Sequence, residues 1–69
     1  MPIHEEAVLR ILSEATEALF ASEIAERLNL QLRPAVAYTT TEVGRVLQGL
    51  HEQALQLADG RWMLKRLLR

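Results

Sequence analysis

Hydrophobic residues in the N-terminal part of the chain recur every three or four positions, which is the period of one face of an α-helix. The pattern predicts a first helix from Ile3 to about Thr16. Pro2 suits a helix start, because the N–H that proline lacks would be unpaired there. The apolar face of this helix consists of Ile3, Ala7, Val8, Ile11, Leu12 and Ala15.

A second, shorter helix is predicted from Glu23 to about Leu28. The apolar residues 19–21 before it are enough for a bridge or a small strand. Ser22 is the expected N-cap, since its hydroxyl can accept a backbone N–H of the first turn. Asn29 is the expected stop, because asparagine tolerates the left-handed conformation. The predicted buried face consists of Ile24, Ala25 and Leu28.

A capping box marks the start of the third helix. In Thr39-x-x-Glu42 the threonine hydroxyl can accept the Glu42 N–H while the carboxylate accepts the Thr39 N–H. The helix is predicted to end near Gln53. Its apolar stripe, at helical spacing, consists of Val43, Val46, Leu47, Leu50 and Ala54.

Ten residues, from Asn29 to Tyr38, separate the second and third helices. Pro34 interrupts any helix and favours extended backbone at Arg33. Residues 34–38 are apolar and fit either a packed loop or a short extended segment. Extra turns of the second helix are another way to fill part of this connection.

Near the C-terminus the hydrophobic period changes to two. Residues 55–58 alternate, Asp59-Gly60 is a two-residue hairpin signal, and residues 61–65 supply a return strand. The side chains expected to face the core from this hairpin are Leu55, Leu57, Trp62 and Leu64. The complete predicted core consists of Val8, Ile11, Leu12, Ile24, Leu28, Val46, Leu47, Leu50, Leu57 and Trp62.

Length and composition predict one domain, residues 1–69, since 69 residues with 49% hydrophobic content suffice for one core. The absence of cysteine excludes a disulfide framework, a thiolate zinc site and a thiol nucleophile. The apolar runs are too short for a membrane span or a secretion signal, so the cytoplasm is the expected location and no membrane partner is expected. His4 and His51 lack the spacing of metal ligands. The chain is too small to enclose a typical catalytic pocket, so we expect no enzyme, cofactor or metal.

The charge is distributed unevenly along the chain. Residues 1–32 hold six glutamates and two arginines, a net charge of −4. Residues 33–69 hold six cations and three acidic residues, a net charge of +3. Such asymmetry indicates one face that meets an anion and one that does not.

Two stretches of the chain resemble a known family. Residues 19–28, Leu-Phe-Ala-Ser-Glu-Ile-Ala-Glu-Arg-Leu, look like the opening of the second helix in many bacterial transcriptional regulators. The passage from Val43 to Lys65 resembles the third helix and hairpin of the same proteins, the winged-helix family of helix-turn-helix DNA-binding domains. The resemblance implies an α+β fold, a small winged helix with three helices plus a C-terminal β-hairpin, the wing. This chain departs from the family in one respect: its connection between helices 2 and 3 is longer than the usual 3–4-residue turn.

The resemblance implies that helix 3 lies in the major groove of double-stranded DNA and that the wing touches the backbone. Arg45 suits a bidentate contact to guanine, and Gln48 one to adenine. Thr40 and Thr41 begin the helix, where backbone N–H groups can meet a phosphate. The cations expected on the phosphates are Arg61, Lys65 and Arg66.

Other interpretations of the same residues stay open. The outward side of helix 3 fits the solvated face of an amphipathic helix, and it carries Glu42 and Glu52, which repel phosphate unless they are held elsewhere. The near-neutral net charge and the apolar residues 34–38 favour a winged helix used for protein–protein interaction or assembly. A homodimer is a further possibility, with Leu67-Leu68 as its seam.

Overall fold

The structure, a computed structural model, describes residues 5–67. Residues 1–4 and the tail residues Leu68 and Arg69 lie outside the described residues, so the predicted start of the first helix and Leu68 of the predicted dimer seam are not covered. The elements are α1 (Glu5–Glu14), α2 (Ala21–Leu32), α3 (Thr40–Gly49), β1 (Ala54–Gln56), β2 (Trp62–Leu64) and a 3₁₀ turn (Lys65–Leu67). Three helices followed by a two-stranded antiparallel hairpin confirm the predicted fold class, a small α+β fold, and this arrangement is consistent with a winged helix.

One core joins the three helices and the hairpin. Eight of the ten predicted core side chains are buried, whereas Val46 and Leu57 are only partly buried. The buried residues are Val8, Ile11, Leu12, Leu19, Ile24, Ala25, Leu28, Val43, Leu47, Leu50, Ala54, Trp62 and Leu64.

A short β-bridge ties the α1–α2 connection to the hairpin. The Leu19 N–H donates to the Trp62 carbonyl at 3.0 Å, and the Trp62 N–H donates to the Leu19 carbonyl at 2.6 Å. This confirms the bridge expected at residues 19–21. Trp62 is 8% exposed, so it belongs to the core and offers no stacking platform.

α2 begins earlier than predicted. Its N-cap is Phe20, so Ser22 lies inside the first turn and does not cap the helix. The Glu23 carboxylate accepts the Phe20 N–H at 2.9 Å. The Glu23 and Ile24 N–H groups bond to the Phe20 carbonyl instead of to a side chain. The helix can therefore start at a residue without a polar side chain, because main-chain and glutamate groups satisfy its first turn.

α2 also ends later than predicted. It continues past Asn29 to Leu32, and Arg33 takes the left-handed conformation at φ 46° and ψ 55°, with its N–H on the Asn29 carbonyl. Both the stop at Asn29 and the extended backbone at Arg33 are corrected. The extra turn shortens the connection to α3 to seven residues, Arg33–Thr39. Pro34 still prevents any further helix.

α3 starts as the capping box predicts but ends sooner than Gln53. The Thr39 hydroxyl accepts the Glu42 N–H at 3.1 Å, and Glu42 Oε1 accepts the Thr39 N–H at 3.2 Å. The helix ends at Gly49, a poor helix former. A turn over residues 50–53 then leads into β1, which is where Ala54 is buried.

The hairpin loop has three residues, not two. Leu57 and Arg61 close it, and Gly60 has φ 98°, the positive angle that a type I turn with a glycine bulge requires. The extra loop residue shifts the pairing by one, and a shift of one exchanges the faces of a strand. Leu55 therefore pairs with Met63, away from the core, while the small residue Ala54 lies opposite Leu64.

Candidate nucleic-acid interface

Three predicted site residues form one line along the exposed side of α3. Thr41, Arg45 and Gln48 follow the i, i+4, i+7 spacing, so they share one face, and all three are exposed. They span about 10 Å at 1.5 Å per residue. The buried residues Val43 and Leu47 hold the opposite face against the core. We call Thr41, Arg45 and Gln48 the outer stripe.

Glu42 is held at the start of α3. Its Oε1 accepts both the Thr39 N–H and the Thr39 hydroxyl, the latter at 3.1 Å. The expected restraint of this carboxylate is confirmed, and the carboxylate now occupies the positive end of the helix dipole. A phosphate near the N–H groups of Thr40 and Thr41 would meet this negative charge. Glu52 lies beyond the end of α3, so it is not part of the helix face.

Arg61 is engaged at the tip of the wing, the hairpin of residues 54–64. Its Nε lies 3.4 Å from Asp59 Oδ2, and its backbone N–H donates to Asp59 Oδ1 at 3.0 Å. The guanidinium carbon lies 5.2 Å from the centre of the Phe20 ring, which is cation–π distance. Asp59 therefore neutralises part of the charge predicted to meet a phosphate.

Phe20 is the residue at this site that the sequence analysis missed. Its ring is 38% exposed, contacts the Arg61 guanidinium and covers Gly60, where an added Cβ would lie 3.5 Å from Phe20 Cε1. The ring thus joins the start of α2 to the wing. The available signal was Phe20-x-x-Glu23, which has the glutamate of a capping box without the hydroxyl.

Lys65 and Arg66 lie at the other end of β2 from Arg61. Both are exposed on the 3₁₀ turn, and the Lys65 N–H donates to the Gln53 carbonyl at 2.8 Å, next to the turn that follows α3. Neither Lys65, Arg66 nor Arg45 forms an ion pair with any residue in the part of the chain that the structure describes. The predicted wing cations therefore fall into two separate places.

Asn29 fastens the connection between α2 and α3. Its Oδ1 accepts the Tyr38 N–H at 2.8 Å, and its Nδ2 donates to the Tyr38 carbonyl at 3.1 Å. Both residues are partly buried. Asn29, which the sequence predicted to end α2, instead holds the chain just before α3.

Large apolar side chains are exposed around this connection. Val36 is 82% exposed and Leu30 68%. Residues 30–41 contain one charge, Arg33, although 25% of the whole chain is charged. This composition resembles the core of a protein–protein interface, where charged residues are depleted.

A cavity of about 360 Å³ lies between the end of α1 and the hairpin, and Glu17 is the one ionisable side chain that lines it. Within residues 5–67, no three His, Cys, Asp or Glu side chains are grouped to hold a metal ion. No helix in the same range is long and apolar enough to cross a bilayer.

Comparisons of the chain with models of known protein families, with curated proteins and with solved structures find no significant match. The roles of the outer stripe and the wing cations therefore rest on their chemistry and their placement in this fold.

Proposed function

We propose that this protein is a cytoplasmic winged-helix module that binds double-stranded DNA, as a small transcriptional regulator does. The observation that carries the proposal is the outer stripe. It presents hydrogen-bonding side chains along a helix whose other face is packed into the core, and the nearest acidic residue, Glu42, is held by Thr39. A helix of this kind can enter the major groove.

Arg45 and Gln48 supply the proposed base contacts. The guanidinium of Arg45 can donate two hydrogen bonds to guanine O6 and N7, and the amide of Gln48 can bond adenine N6 and N7. Three residues of helix rise about 4.5 Å, close to the base-pair step of about 3.4 Å. The two side chains therefore suit neighbouring base pairs.

Lys65 and Arg66 supply the proposed backbone contacts. Their charges are unpaired among the described residues, so each can replace a counterion on a phosphate. Arg61 has a different part in this proposal. Because Asp59 and Phe20 hold it, it shapes the wing tip and contributes less than a full charge to phosphate binding.

Fluorescence anisotropy tests the proposal, with duplexes selected from a random library and titrated at two salt concentrations. Arg45→Ala should weaken binding to the preferred duplex by about 1–3 kcal/mol and binding to other sequences little. Lys65→Ala/Arg66→Ala should weaken binding to all sequences and lower the salt slope by about 2. Arg10→Ala, which removes an exposed charge from α1, is the matched control and should change neither quantity.

No measurable binding at low salt, where non-specific association is strongest, would refute the DNA proposal. If Arg45→Ala and Arg10→Ala lowered DNA affinity equally, DNA would still be the partner, but α3 would not be part of the interface.

A protein-interaction or assembly module is the second candidate, and the exposure of Leu30 and Val36 favours it. If this surface joins two copies of the chain, sedimentation equilibrium should show a dimer that Val36→Ser converts to a monomer. A wild-type monomer at high micromolar concentration contradicts the homodimer.

The proposal is for binding and not for catalysis, without cofactor or metal.

A further inference from the structure

The Asn29 amide fixes Tyr38 at two backbone atoms. It accepts the Tyr38 N–H at 2.8 Å and donates to the Tyr38 carbonyl at 3.1 Å. Two bonds to one residue restrain both its position and its orientation, which a single bond does not. Because the site is partly buried, water competes less for these groups than at the surface.

Tyr38 stands directly before Thr39, the N-cap of α3, so fixing Tyr38 fixes where the helix begins. A short turn of 3–4 residues restricts the second helix of a helix-turn-helix by its length alone. Here the connection has seven residues, and its length imposes no such restriction.

The first turn of α3 and the rest of the helix have different anchors. Val43 and Leu47 are fully buried and the C-cap Leu50 is 4% exposed, so core packing holds the helix from its fourth residue onward. The first three residues, Thr40–Glu42, are all exposed. Their position therefore depends on the Thr39 cap before them as well as on the buried Val43 after them.

We propose that Asn29 is a positioning residue for the first turn of α3, and thereby for Thr41, the first residue of the outer stripe that we propose to face DNA. Arg45 and Gln48, further along the outer stripe, are positioned by the core and not by Asn29. The part that concerns Thr41 rests on the proposed DNA-binding function.

A double-mutant cycle on the preferred duplex tests this inference. Asn29→Ala should weaken binding about fivefold, the value of one hydrogen bond, and Thr41→Ala should then cause no further loss. Gln48→Ala should cause the same loss in the wild-type background and in the Asn29→Ala background. Alanine is a better helix former than asparagine, so α2 persists in the variant. Gln31→Ala, an exposed change in the same last turns of α2, is the control and should leave affinity unchanged.

Independent losses for Asn29→Ala and Thr41→Ala, or coupling of Asn29 to Gln48 instead, would overturn the assignment to the first turn.

Amide hydrogen exchange tests the positioning without DNA. In Asn29→Ala the Tyr38, Glu42 and Val43 amides should exchange about tenfold faster, while Leu47 and Leu50 keep their wild-type protection. If Glu42 and Val43 also keep theirs, Asn29 does not position the first turn. Absence of DNA binding by the wild type would refute the proposed function alone, and exchange would then decide the role of Asn29.

Discussion

α2 and α3 each have a glutamate as the third residue after the N-cap, yet the N-cap residues themselves differ. Glu23 accepts the N–H of Phe20 at 2.9 Å, and Glu42 accepts that of Thr39 at 3.2 Å. At α3 the threonine hydroxyl returns a bond to the Glu42 N–H, which completes the capping box. At α2 the cap position holds an aromatic ring that contacts Arg61 in the wing.

The difference separates a local helix start from a tertiary one. The start of α3 is encoded within four residues, because each capping group satisfies the other. The start of α2 combines local bonds with a tertiary contact, because Phe20 also packs against Gly60 and Arg61, about forty positions away. The phenylalanine ring has no oxygen to accept a first-turn N–H, so it packs on the wing and leaves the capping to main-chain and Glu23 groups.

Leu47→Ala truncates a buried side chain of the core that both helices share, and it should have the largest effect on stability. Deleting a fully buried leucine should lower the free energy of unfolding by about 2–5 kcal/mol, which can unfold a domain of this size. Urea denaturation followed by circular dichroism measures it. Leu30→Ala, on an exposed leucine, is the control and should change stability by less than about 0.5 kcal/mol. A Leu47→Ala variant that melts within a degree or two of the parent would show that Leu47 is not core.

Thr39→Ala tests the local start of α3. Loss of the hydroxyl leaves the Glu42 N–H without its acceptor and should cost about 0.5–2 kcal/mol with little change in fold. Thr40→Ala, the same change one residue later, should cost less because Thr40 follows the cap. Equal stabilities for the two variants would mean that the box does not define this helix start.

Phe20→Ala and Phe20→Ser together test the tertiary start of α2. Both variants lose the ring contact with Arg61, worth about 0.5–1 kcal/mol at an exposed site. Serine restores a hydroxyl acceptor at the N-cap, so Phe20→Ser should be more stable than Phe20→Ala by about 0.5–1 kcal/mol. Identical melting curves for the two would indicate that the first turn of α2 has no use for a side-chain cap.

Ser22→Ala should have the smallest effect. Ser22 is exposed inside the first turn of α2, so its replacement by a better helix former should change stability by less than about 0.5 kcal/mol. Thermal unfolding beside Thr39→Ala gives the comparison. A loss of about 1 kcal/mol or more, as estimated for a lost cap, would reinstate Ser22 as the N-cap.

The parts of the fold that the sequence predicted are those encoded locally. Helical periodicity located α1, α2 and α3, and the threonine–glutamate box located the first residue of α3. The bridge at Leu19 and the burial of Trp62 also agree with the structure. For the helices and the box, neighbouring residues carry the signal, whereas the bridge pairs Leu19 with the distant Trp62.

The errors arose where a distant contact or a change of register decides the structure. Ser22 is a good cap by propensity, but the N-cap is Phe20, whose ring packs on the wing. Asp59-Gly60 indicates a tight turn but does not show whether Ala58 belongs to the loop. Because Ala58 does belong to it, the pairing shifts by one residue, and Ala54 rather than Leu55 faces the core.

The candidate site divides in the same way. Helical spacing was enough to align Thr41, Arg45 and Gln48. The engagement of Arg61 by Phe20 depends on tertiary contact, and so does the Asn29–Tyr38 anchor across eight intervening residues.

The Asn29–Tyr38 anchor also makes α3 independent of loop length. Arg33 ends α2 in the left-handed conformation, and Tyr38 is held at the far side, so residues 34–37 form an arch with both ends fixed. Doubling the length of a flexible loop costs only about 0.6 kcal/mol of closure entropy. Insertions beside Val36 therefore lengthen the arch without displacing the helix after it. This position suits a grafted peptide or an affinity tag, and it is where natural length variation can accumulate while α3 stays in place.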